Sequence, residues 1–565
     1  MRYRWLEPAT EVREGGAVGE AVLRALLARR GVAEGEVAAF LAPDPAALAD
    51  PFLLADMDRA VDRLALARRL GEAVAVYGDY DVDGLTSTAL LCRALDGLGL
   101  TVLPYVPHRA REGYGLNRAA LDRLQAAGVS LVVAVDCGVG NGAEIAHARS
   151  RGLDTIVLDH HHVPETLPEA VAVVNPRRAD CAYPCKDLAA VGVAYALARA
   201  LDDAGYAGVR ADDDDLLALA ALGTVADVVP LRGENRVLAA AGLAALRETG
   251  RPGLRALCAA AGVAPARLLA WHIGYVLGPR LNAAGRIAEP DIALRLLLTD
   301  DPGEAADLAA RLDRLNRERQ RELARILEEA IAKLEENGPP GDDRRLIQLA
   351  GDGWSAGVAG LVAGRLTERY SRPVVILERG ADWSKGSARS VDGFNIVEAL
   401  AECADLLDHY GGHAKAAGLT VANAHLDALD KRLRDLALTR LSAEQLRPTL
   451  APDIAVPPDA LTEETVDSLA RLEPCGHGNP EPLLLVRAAV ARWPRTSQDG
   501  RHLFWTMQQG RRRQVRGVAF GHGDRLAELT GAGPVDLVGT LRREWWQEEE
   551  RLSLHVRDFR VTSDE

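Results

Sequence analysis

Four short stretches of this 565-residue chain carry side chains able to do chemistry together. The densest is Tyr77-Gly78-Asp79-Tyr80-Asp81-Val82-Asp83-Gly84, where three aspartates alternate directly after an apolar run. Alternation over so few residues can aim all three carboxylates at one point. Crowded like charges are costly unless a cation offsets them, and hard carboxylate oxygens suit Mg2+ or Mn2+. A calcium EF-hand needs a Glu at the twelfth loop position. Counting from Asp79, that residue is Leu90, so the EF-hand is excluded. Asp136 follows a later apolar run, in Val135-Asp136-Cys137-Gly138, and Asp159-His160-His161-His162 follows another. A solvated acidic turn would account for the first stretch alone, and a lone histidine is usually structural. Neither accounts for acidic and imidazole groups at three strand ends. The fourth stretch is Gly223-Thr224-Val225-Ala226-Asp227, after a helical run, and would be weak by itself.

The elements that must position these groups read as follows. Apolar runs at 73–77, 101–106, 131–135 and 155–158 predict strands. Helices are predicted over 58–70, 85–95 and 143–149. Continuous apolar strands alternating with helices mean a parallel sheet covered on both faces. Ligands bind such sheets beyond the carboxyl ends of the strands, which is where the Asp and His groups fall. An Ala/Leu-rich helical region, 188–261, follows. A charged helix over about 305–336, with one apolar stripe, reads as a connector and is ended by Asn337-Gly338-Pro339-Pro340-Gly341. A second α/β unit has strands at 346–349 and 373–377 around a helix at 358–368. Short alternating runs at 483–486, 502–507, 515–520, 535–541 and 552–561 predict a small β-barrel. The expected divisions are an N-terminal helical segment over 1–50, a catalytic α/β domain over 51–300, the connector over 301–340, a smaller α/β domain over 341–445 and the barrel over 446–565.

The net charge of -14 argues at first sight against a nucleic-acid partner. Charge is an average over the whole surface, however, whereas a binding groove is local, and bound cations neutralise carboxylate ligands. Seven scattered cysteines, no opening signal peptide and no apolar run of about 20 residues point to a reducing cytoplasm. Cys181 and Cys185 lack a neighbouring second Cys/His pair, so a zinc site is disfavoured.

Taken together, these stretches resemble the DHH phosphoesterase superfamily: D-x-D after the first strand, an Asp after a later strand, the Asp-His-His triplet and a distal Asp, in that order. Val106-Pro107-His108-Arg109, Glu112-Gly113-Tyr114-Gly115-Leu116 and Gly278-Pro279-Arg280-Leu281-Asn282-Ala283-Ala284-Gly285-Arg286-Ile287 are similar to the RecJ family within it. Ser387-Ala388-Arg389-Ser390 and Gly411-Gly412-His413-Ala414-Lys415-Ala416-Ala417-Gly418 are similar to the DHH-associated domain. The resemblance implies a multi-domain α/β protein: a parallel-sheet DHH catalytic domain, a connector helix, a DHH-associated domain and an oligonucleotide-binding-fold-like barrel. It implies single-stranded-DNA-specific 5′→3′ exonuclease activity in repair and recombination, with two Mn2+ or Mg2+ ions about 3.5–4 Å apart. Asp136 would bridge them, Asp79 and Asp81 would hold one, and Asp83, His160 and Asp227 the other. Many relatives have a His where Tyr77 stands, and Asp79 takes its place. His161 would face the phosphate as an acid or transition-state stabiliser, and Asp159 would orient a neighbouring His. No role falls to His162.

An exonuclease needs a stop at the strand end, and arginine recognises a terminal phosphate bidentately. Arg109 and Arg280 are the candidates for a 5′-phosphate pocket, against the bland alternative of surface ion pairs. Ser387, Arg389, Gly412 and His413 are candidates for gripping the backbone; a tight packing turn is the alternative for the glycines. Trp493, Phe504, Trp505, Trp545 and Trp546, among arginines that include Arg511, Arg512 and Arg513, suit single-stranded nucleic acid or a buried barrel core. The family also implies a mostly monomeric protein working with a single-stranded-DNA-binding protein and a RecQ-like helicase, and no membrane. Two rival readings are a small-nucleotide phosphodiesterase or pyrophosphatase of the same superfamily, and a non-catalytic single-strand-binding scaffold.

Overall fold

The computed structural model describes residues 3–12, 18–109, 111–206, 208–210, 213–336, 338, 341, 343–509, 513–546 and 549–562, without the side chains of 508, 509, 513, 545, 546 and 549. Arg511 and Arg512, and the side chains of Arg513, Trp545 and Trp546, therefore lie outside the described residues, as do Asn337, Pro339 and Pro340. Two compact units are present, each discontinuous in sequence: 27–316 with 469–481, and 1–26 with 317–468 and 482–565.

The first unit is built on five parallel strands, β1 (Ala73–Tyr77), β2 (Thr101–Tyr105), β3 (Val129–Val135), β4 (Asp154–Leu158) and β5 (Ala172–Val174), in the order β2-β1-β3-β4-β5. Alternate residues of a strand face opposite sides of the sheet. Val74, Val76, Leu131, Val133, Val135, Ile156 and Leu158 enter one core with α1 (Met57–Leu70), α2 (Val82–Gly97), α3 (Ala190–Asp203) and α4 (Asp214–Ala226). Ala75, Tyr77, Val132, Ala134 and Val157 enter the other, under the helices Arg118–Ala126 and Gly142–Ser150. Both faces are therefore covered, as the continuous apolar runs require. The sequence reading missed β5, whose three residues are too short to register as a run.

Helix α2 begins at Val82, three residues before the expected start, because the Oδ1 of Asp81 accepts hydrogen bonds from the amides of Asp83 (3.1 Å) and Gly84 (3.2 Å). This N-cap satisfies donors that a helix start otherwise leaves open. The helix Gly278–Ile287, α5, and the N-terminal part of the 35-residue helix α6 (Pro302–Glu336) complete this unit. Ala305, Leu308, Ala309 and Leu312 of α6 join the first core, while Ile326, Ala330 and Leu334 pack with Trp354, Val358 and Val362 of the second unit. One amphipathic stripe thus serves two cores in succession.

In the second unit, β6 (Ile347–Asp352), α7 (Ala356–Tyr370) and β7 (Val374–Arg379) form a parallel βαβ element. The strands β8 (Trp383–Arg389), β9 (Leu407–His413) and β10 (Ala416–Ala422) extend it antiparallel in the order β9-β10-β8-β7-β6. The edge strand β9, Leu-Asp-His-Tyr-Gly-Gly-His, is largely exposed, so it carries no apolar alternation by which sequence could reveal it. The C-terminal region is a seven-stranded mixed sheet, β11 (Ile454–Val456), β12 (Leu484–Ala489), β13 (Ala491–Thr496), β14 (Leu503–Gln509), β15 (Arg513–Ala519), β16 (Val535–Trp546) and β17 (Glu549–Val561), in the order β11-β12-β16-β17-β15-β14-β13. Trp505 and Phe559 are buried in it, whereas Trp493 is 67 % exposed. The N-terminal segment is not purely helical: Arg4–Trp5 pairs in parallel with Thr449–Leu450.

Candidate metal centre

Three neighbouring strands deliver their carboxyl ends to one place. Tyr77 of β1 pairs with Ala134 of β3, and Val135 of β3 pairs with Leu158 of β4, so the chain leaves the sheet at the same edge before Asp79, Asp136 and Asp159. Asp136 turns sharply there, with φ of +62°. A left-handed non-glycine residue costs about 1–3 kcal/mol and persists where the surroundings enforce it. Here the Asp136 amide donates to the Leu158 carbonyl at 3.0 Å, and the Tyr114 hydroxyl donates to the Asp136 carbonyl at 3.1 Å.

Asp83 sits at the start of α2 and is fixed by another helix. Its Oδ2 accepts from the Ala190 amide (2.8 Å) and its Oδ1 from the Val191 amide (2.9 Å), the open N-terminus of α3. Asp227 follows α4, and Gly223 explains its reach. A β-carbon at Gly223 would stand 2.4 Å from Thr86 Oγ1 and 2.9 Å from Asp83 Oδ1, so only glycine lets α4 close on α2.

The donors form three overlapping groups whose ligand atoms lie within 4.8 Å of one another: Asp79, Asp81 and Asp136; Asp83, His160 and Asp227; and Asp136, His160 and His161. His160 Nε2 is 3.3 Å from Asp136 Oδ1, 3.7 Å from Asp227 Oδ2 and 3.9 Å from Asp83 Oδ2. His160 Nε2 and Asp79 Oδ1 are buried with no hydrogen-bond partner. Orphaned buried donors and acceptors are rare, and pointing into a nest of carboxylates they fit a divalent cation. Mn2+ or Mg2+ matches a set of oxygen donors with one imidazole.

The electrostatics agree with that reading. Burial, followed by the Asp81 charge, raises the carboxyl of Asp79. Burial, followed by the charges of Asp83 and Asp81, raises Asp136 and Asp227. Burial pushes the His160 imidazolium down to about 4, with His161 charge assisting, so the ring is neutral and able to ligate at neutral pH. Asp159 behaves differently. Burial opposes its charge, but hydrogen bonds from His161 and from the amides of Val139 and His161 hold its carboxyl below the usual range. His161 Nδ1 lies 2.8 Å from Asp159 Oδ1. Burial alone would lower His161, and the Asp159 bond with the charges of Asp83 and Asp81 raises it instead.

Carboxyls raised by folding bind more protons in the native than in the unfolded state, so their contribution to the stability of the metal-free protein falls as pH rises above the ordinary carboxylate range of about 4. A cation displaces those protons. Mn2+ binding near pH 6.5 is expected to release protons, read by titration calorimetry in two buffers of different ionisation enthalpy. Identical heats in both buffers would refute it.

The structure gathers Asp79, Asp81, Asp83, Asp136, Asp159, His160, His161 and Asp227 in one site. Tyr77 is turned away: its hydroxyl donates to the Gly115 carbonyl (3.0 Å) and accepts from Asn117 (3.0 Å). His162 is exposed. Arg109 lies 5.3 Å over the Tyr80 ring, and its charge favours the ionised form of Asp79. Arg280, on the helix Gly278–Ile287, has Nε 3.1 Å from Asp313 Oδ1 and Nη1 2.7 Å from the Val276 carbonyl. Ser387, Arg389, Gly412 and His413 lie in the second unit. Arg389 and His413 flank Ala416 across β8, β10 and β9, and Ser387 and Arg389 both face Gly360 of α7. Cys181 is buried with its thiol 3.8 Å from the Leu53 carbonyl.

Sequence reasoning missed two groups at the end of β5. The Asn175 amide donates to the His161 carbonyl (3.0 Å), and Asn175 Oδ1 accepts from the Arg177 amide (2.9 Å). The charge of Arg177 acts on both Asp227 and His160. Recognising Ala172–Val174 as a fifth strand would have flagged Asn175-Pro176-Arg177 as a further strand end. The Tyr114 hydroxyl, 3.2 Å from His161 Nδ1, belongs to the Glu112–Leu116 motif, where spacing alone gives it no role.

A doubly covered parallel sheet with clustered carboxylates and a neutral imidazole at its strand ends defines a metal-dependent phosphoesterase of the DHH class. The model of the DHH family, N-terminal domain, matches residues 73–224; the DHHA1 domain matches 343–438 and the RecJ OB domain 452–558. The chain is 38 % identical over 547 residues to the single-stranded-DNA-specific exonuclease RecJ of Bacillus subtilis, covering 96 % of this chain and 68 % of that one. It is 39 % identical over 450 residues to RecJ of Escherichia coli, covering 76 % and 77 %. The crystal structure of RecJ in complex with Mn2+ from Thermus thermophilus superposes with a TM-score of 0.83 at 32 % identity, covering 100 % of this chain and 80 % of that one. This chain belongs to the RecJ family. Among the described residues no helix is long and apolar enough to cross a membrane.

Proposed function

We propose that this protein degrades single-stranded DNA from its 5′ end by metal-dependent phosphodiester hydrolysis, releasing 5′-mononucleotides during repair and recombination. It is a single-stranded-DNA-specific exonuclease of the RecJ family that uses Mn2+ or Mg2+. The observation that carries the mechanism is the sharing of Asp136 between the acidic group of Asp79 and Asp81 and the group around His160. Asp136 would be shared by two cations, of which Asp79 and Asp81 would hold one and Asp83, His160 and Asp227 the other. Bound divalent ions supply a water nucleophile at neutral pH and offset charge on the phosphate in flight. His161, held at Nδ1 by Asp159, is placed to hydrogen-bond the phosphate. Asn175 and Tyr114 position His161.

The 5′→3′ polarity follows the family, with Arg109, beside the acidic loop, and Arg280 as the residues that would receive a terminal phosphate. The region 341–445, with Ser387, Arg389, Gly412 and His413, is assigned to the DNA backbone, and 446–565 to single-strand binding. Catalysis is assigned to 51–300, 1–50 to an N-terminal segment and 301–340 to the connector. Action in the cytoplasm as a monomer, with a single-stranded-DNA-binding protein and a RecQ-like helicase, completes this reading.

The test is a 5′-phosphorylated single strand labelled at its 3′ end, incubated with Mn2+ beside a blunt duplex. Progressive shortening of the single strand alone, abolished by chelation, is the expected result. Hydrolysis restricted to dinucleotides or pyrophosphate, or binding without cleavage, would refute it. Arg109→Ala is expected to reduce the preference for 5′-phosphate over 5′-hydroxyl ends about 10- to 100-fold, the worth of a charged hydrogen bond. An unchanged preference would remove Arg109 from the pocket.

A further inference from the structure

Trp271 is 50 % exposed and Tyr275 70 % exposed, and their rings stack with centroids 5.6 Å apart and planes 23° from parallel. Large aromatic rings are ordinarily buried, and a contiguous exposed patch marks a binding surface more often than an isolated side chain does. The two rings stand on a helical turn, Ile273–Leu277, in π conformation, which leads directly into α5. Such bulges are frequent at functional sites. Ile273, Leu277 and Leu281 fill the core on the opposite side, so the helix has no apolar need to display the pair.

The position of this helix is informative. A β-carbon at Gly285 would meet the Tyr80 carbonyl at 2.8 Å. A β-carbon at Gly278 would meet Ala226 at 3.6 Å and Val82 at 3.8 Å, residues adjacent to Asp227 and between Asp81 and Asp83. The helix therefore runs past both metal-binding loops. Arg109, over Tyr80, belongs to its Gly285 end. The aromatic pair lies beyond its Gly278 end, three and seven residues away, about 4 and 10 Å along the axis at helical rise. On the exonuclease reading, a strand whose 5′ phosphate meets Arg109 and whose scissile bond meets the metal donors would continue along this helix toward Tyr275 and Trp271. At about 3.4 Å per stacked nucleotide, that distance is one to three nucleotides.

We infer that Trp271 and Tyr275 form a base-stacking subsite for the nucleotides immediately 3′ of the scissile bond. This rests on the exonuclease reading above. Every base has a π-face, so the platform tolerates any sequence, which a resecting nuclease needs. Its place just beyond the Gly278 end of the helix, which lies against Ala226 and Val82, would let it grip the strand close to the cut.

The test uses the full-length protein with Mn2+ and 5′-phosphorylated substrates. For Trp271→Ala combined with Tyr275→Ala, KM for a 12-mer is expected to rise about 5- to 100-fold, the worth of losing base stacking. The rise should be much smaller for a 12-mer carrying abasic sites at its second to fourth nucleotides, because that substrate has already lost the bases that stack. Trp271→Phe with Tyr275→Phe should restore most of the affinity. An unchanged KM for the 12-mer, or the same rise for the abasic and normal strands, overturns the subsite. If the wild-type protein fails to shorten the 12-mer at all, the exonuclease reading falls first and the subsite with it. Failure of the subsite alone appears as normal cleavage by the wild type with an insensitive variant.

Discussion

Asp136→Ala is expected to lower single-strand hydrolysis by about 1,000-fold or more, equivalent to about 4 kcal/mol of lost transition-state stabilisation, while the protein stays folded. The carboxylate of Asp136 belongs to two of the three donor groups outright and stands 3.3 Å from His160, the centre of the third. On the proposed assignment, removing it would take a ligand from both cations at once. The fold should tolerate the loss, because the metal-free site suffers from too many carboxylates and not too few. Burial, with the charges of Asp83 and Asp81, already presses against the ionised form of Asp136. The melting temperature of the chelated variant should therefore match or exceed that of the chelated wild type, whereas the stabilisation that Mn2+ gives the wild type should largely disappear. Measuring both quantities separates a metal ligand from a structural aspartate: a variant that unfolds with or without metal would make Asp136 structural. Residual activity within tenfold of wild type would deny it the bridging position.

His161→Ala should produce a different defect of similar size. Turnover is expected to fall about 100- to 10,000-fold, the range for a positioned acid or base, with little change in the Mn2+ concentration needed. The two adjacent histidines occupy different environments. His160 is 7 % exposed and neutral, with its Nε2 among carboxylates. The His161 side chain is 34 % exposed, with Nδ1 held by Asp159. Asp159 holds the ring at Nδ1, and its proposed role is to donate to a phosphate oxygen rather than to ligate a cation. His160→Ala should accordingly raise the Mn2+ requirement, and His161→Ala should not. Asp159→Asn should mimic His161→Ala in part, lowering turnover while leaving KM nearly constant, since Asp159 reaches the substrate only through His161. If both histidine variants respond alike to added Mn2+, His161 is a ligand and the division of labour is wrong.

Much of this was legible in the linear chain for a physical reason. A buried parallel strand needs an uninterrupted apolar run, so the strands before Asp79, Asp136 and Asp159 were visible, and the carboxyl ends of such strands are where ligands bind. Boundaries failed where a side chain, and not the run, set them: the Asp81 cap started α2 early. Elements failed where burial was brief or absent, as in the short β5 and the exposed β9. Asn175 and Arg177 were lost with β5.

The sequence by itself determined the donor types, their order along the chain and the sheet edge at which most of them emerge, because alternation and strand ends are local properties. Only the tertiary structure decided which donors share an atom-scale neighbourhood. Asp227 arrives through a helix whose approach depends on Gly223, and Asp83 is oriented by the N-terminus of α3, more than 100 residues on. Tertiary contacts also separated residues of like chemistry: His160 from His161, Arg109 beside the acidic loop from Arg280 held by Asp313, and buried Trp505 from exposed Trp271. These distinctions depend on burial and on partners distant in sequence, which spacing along a chain does not encode.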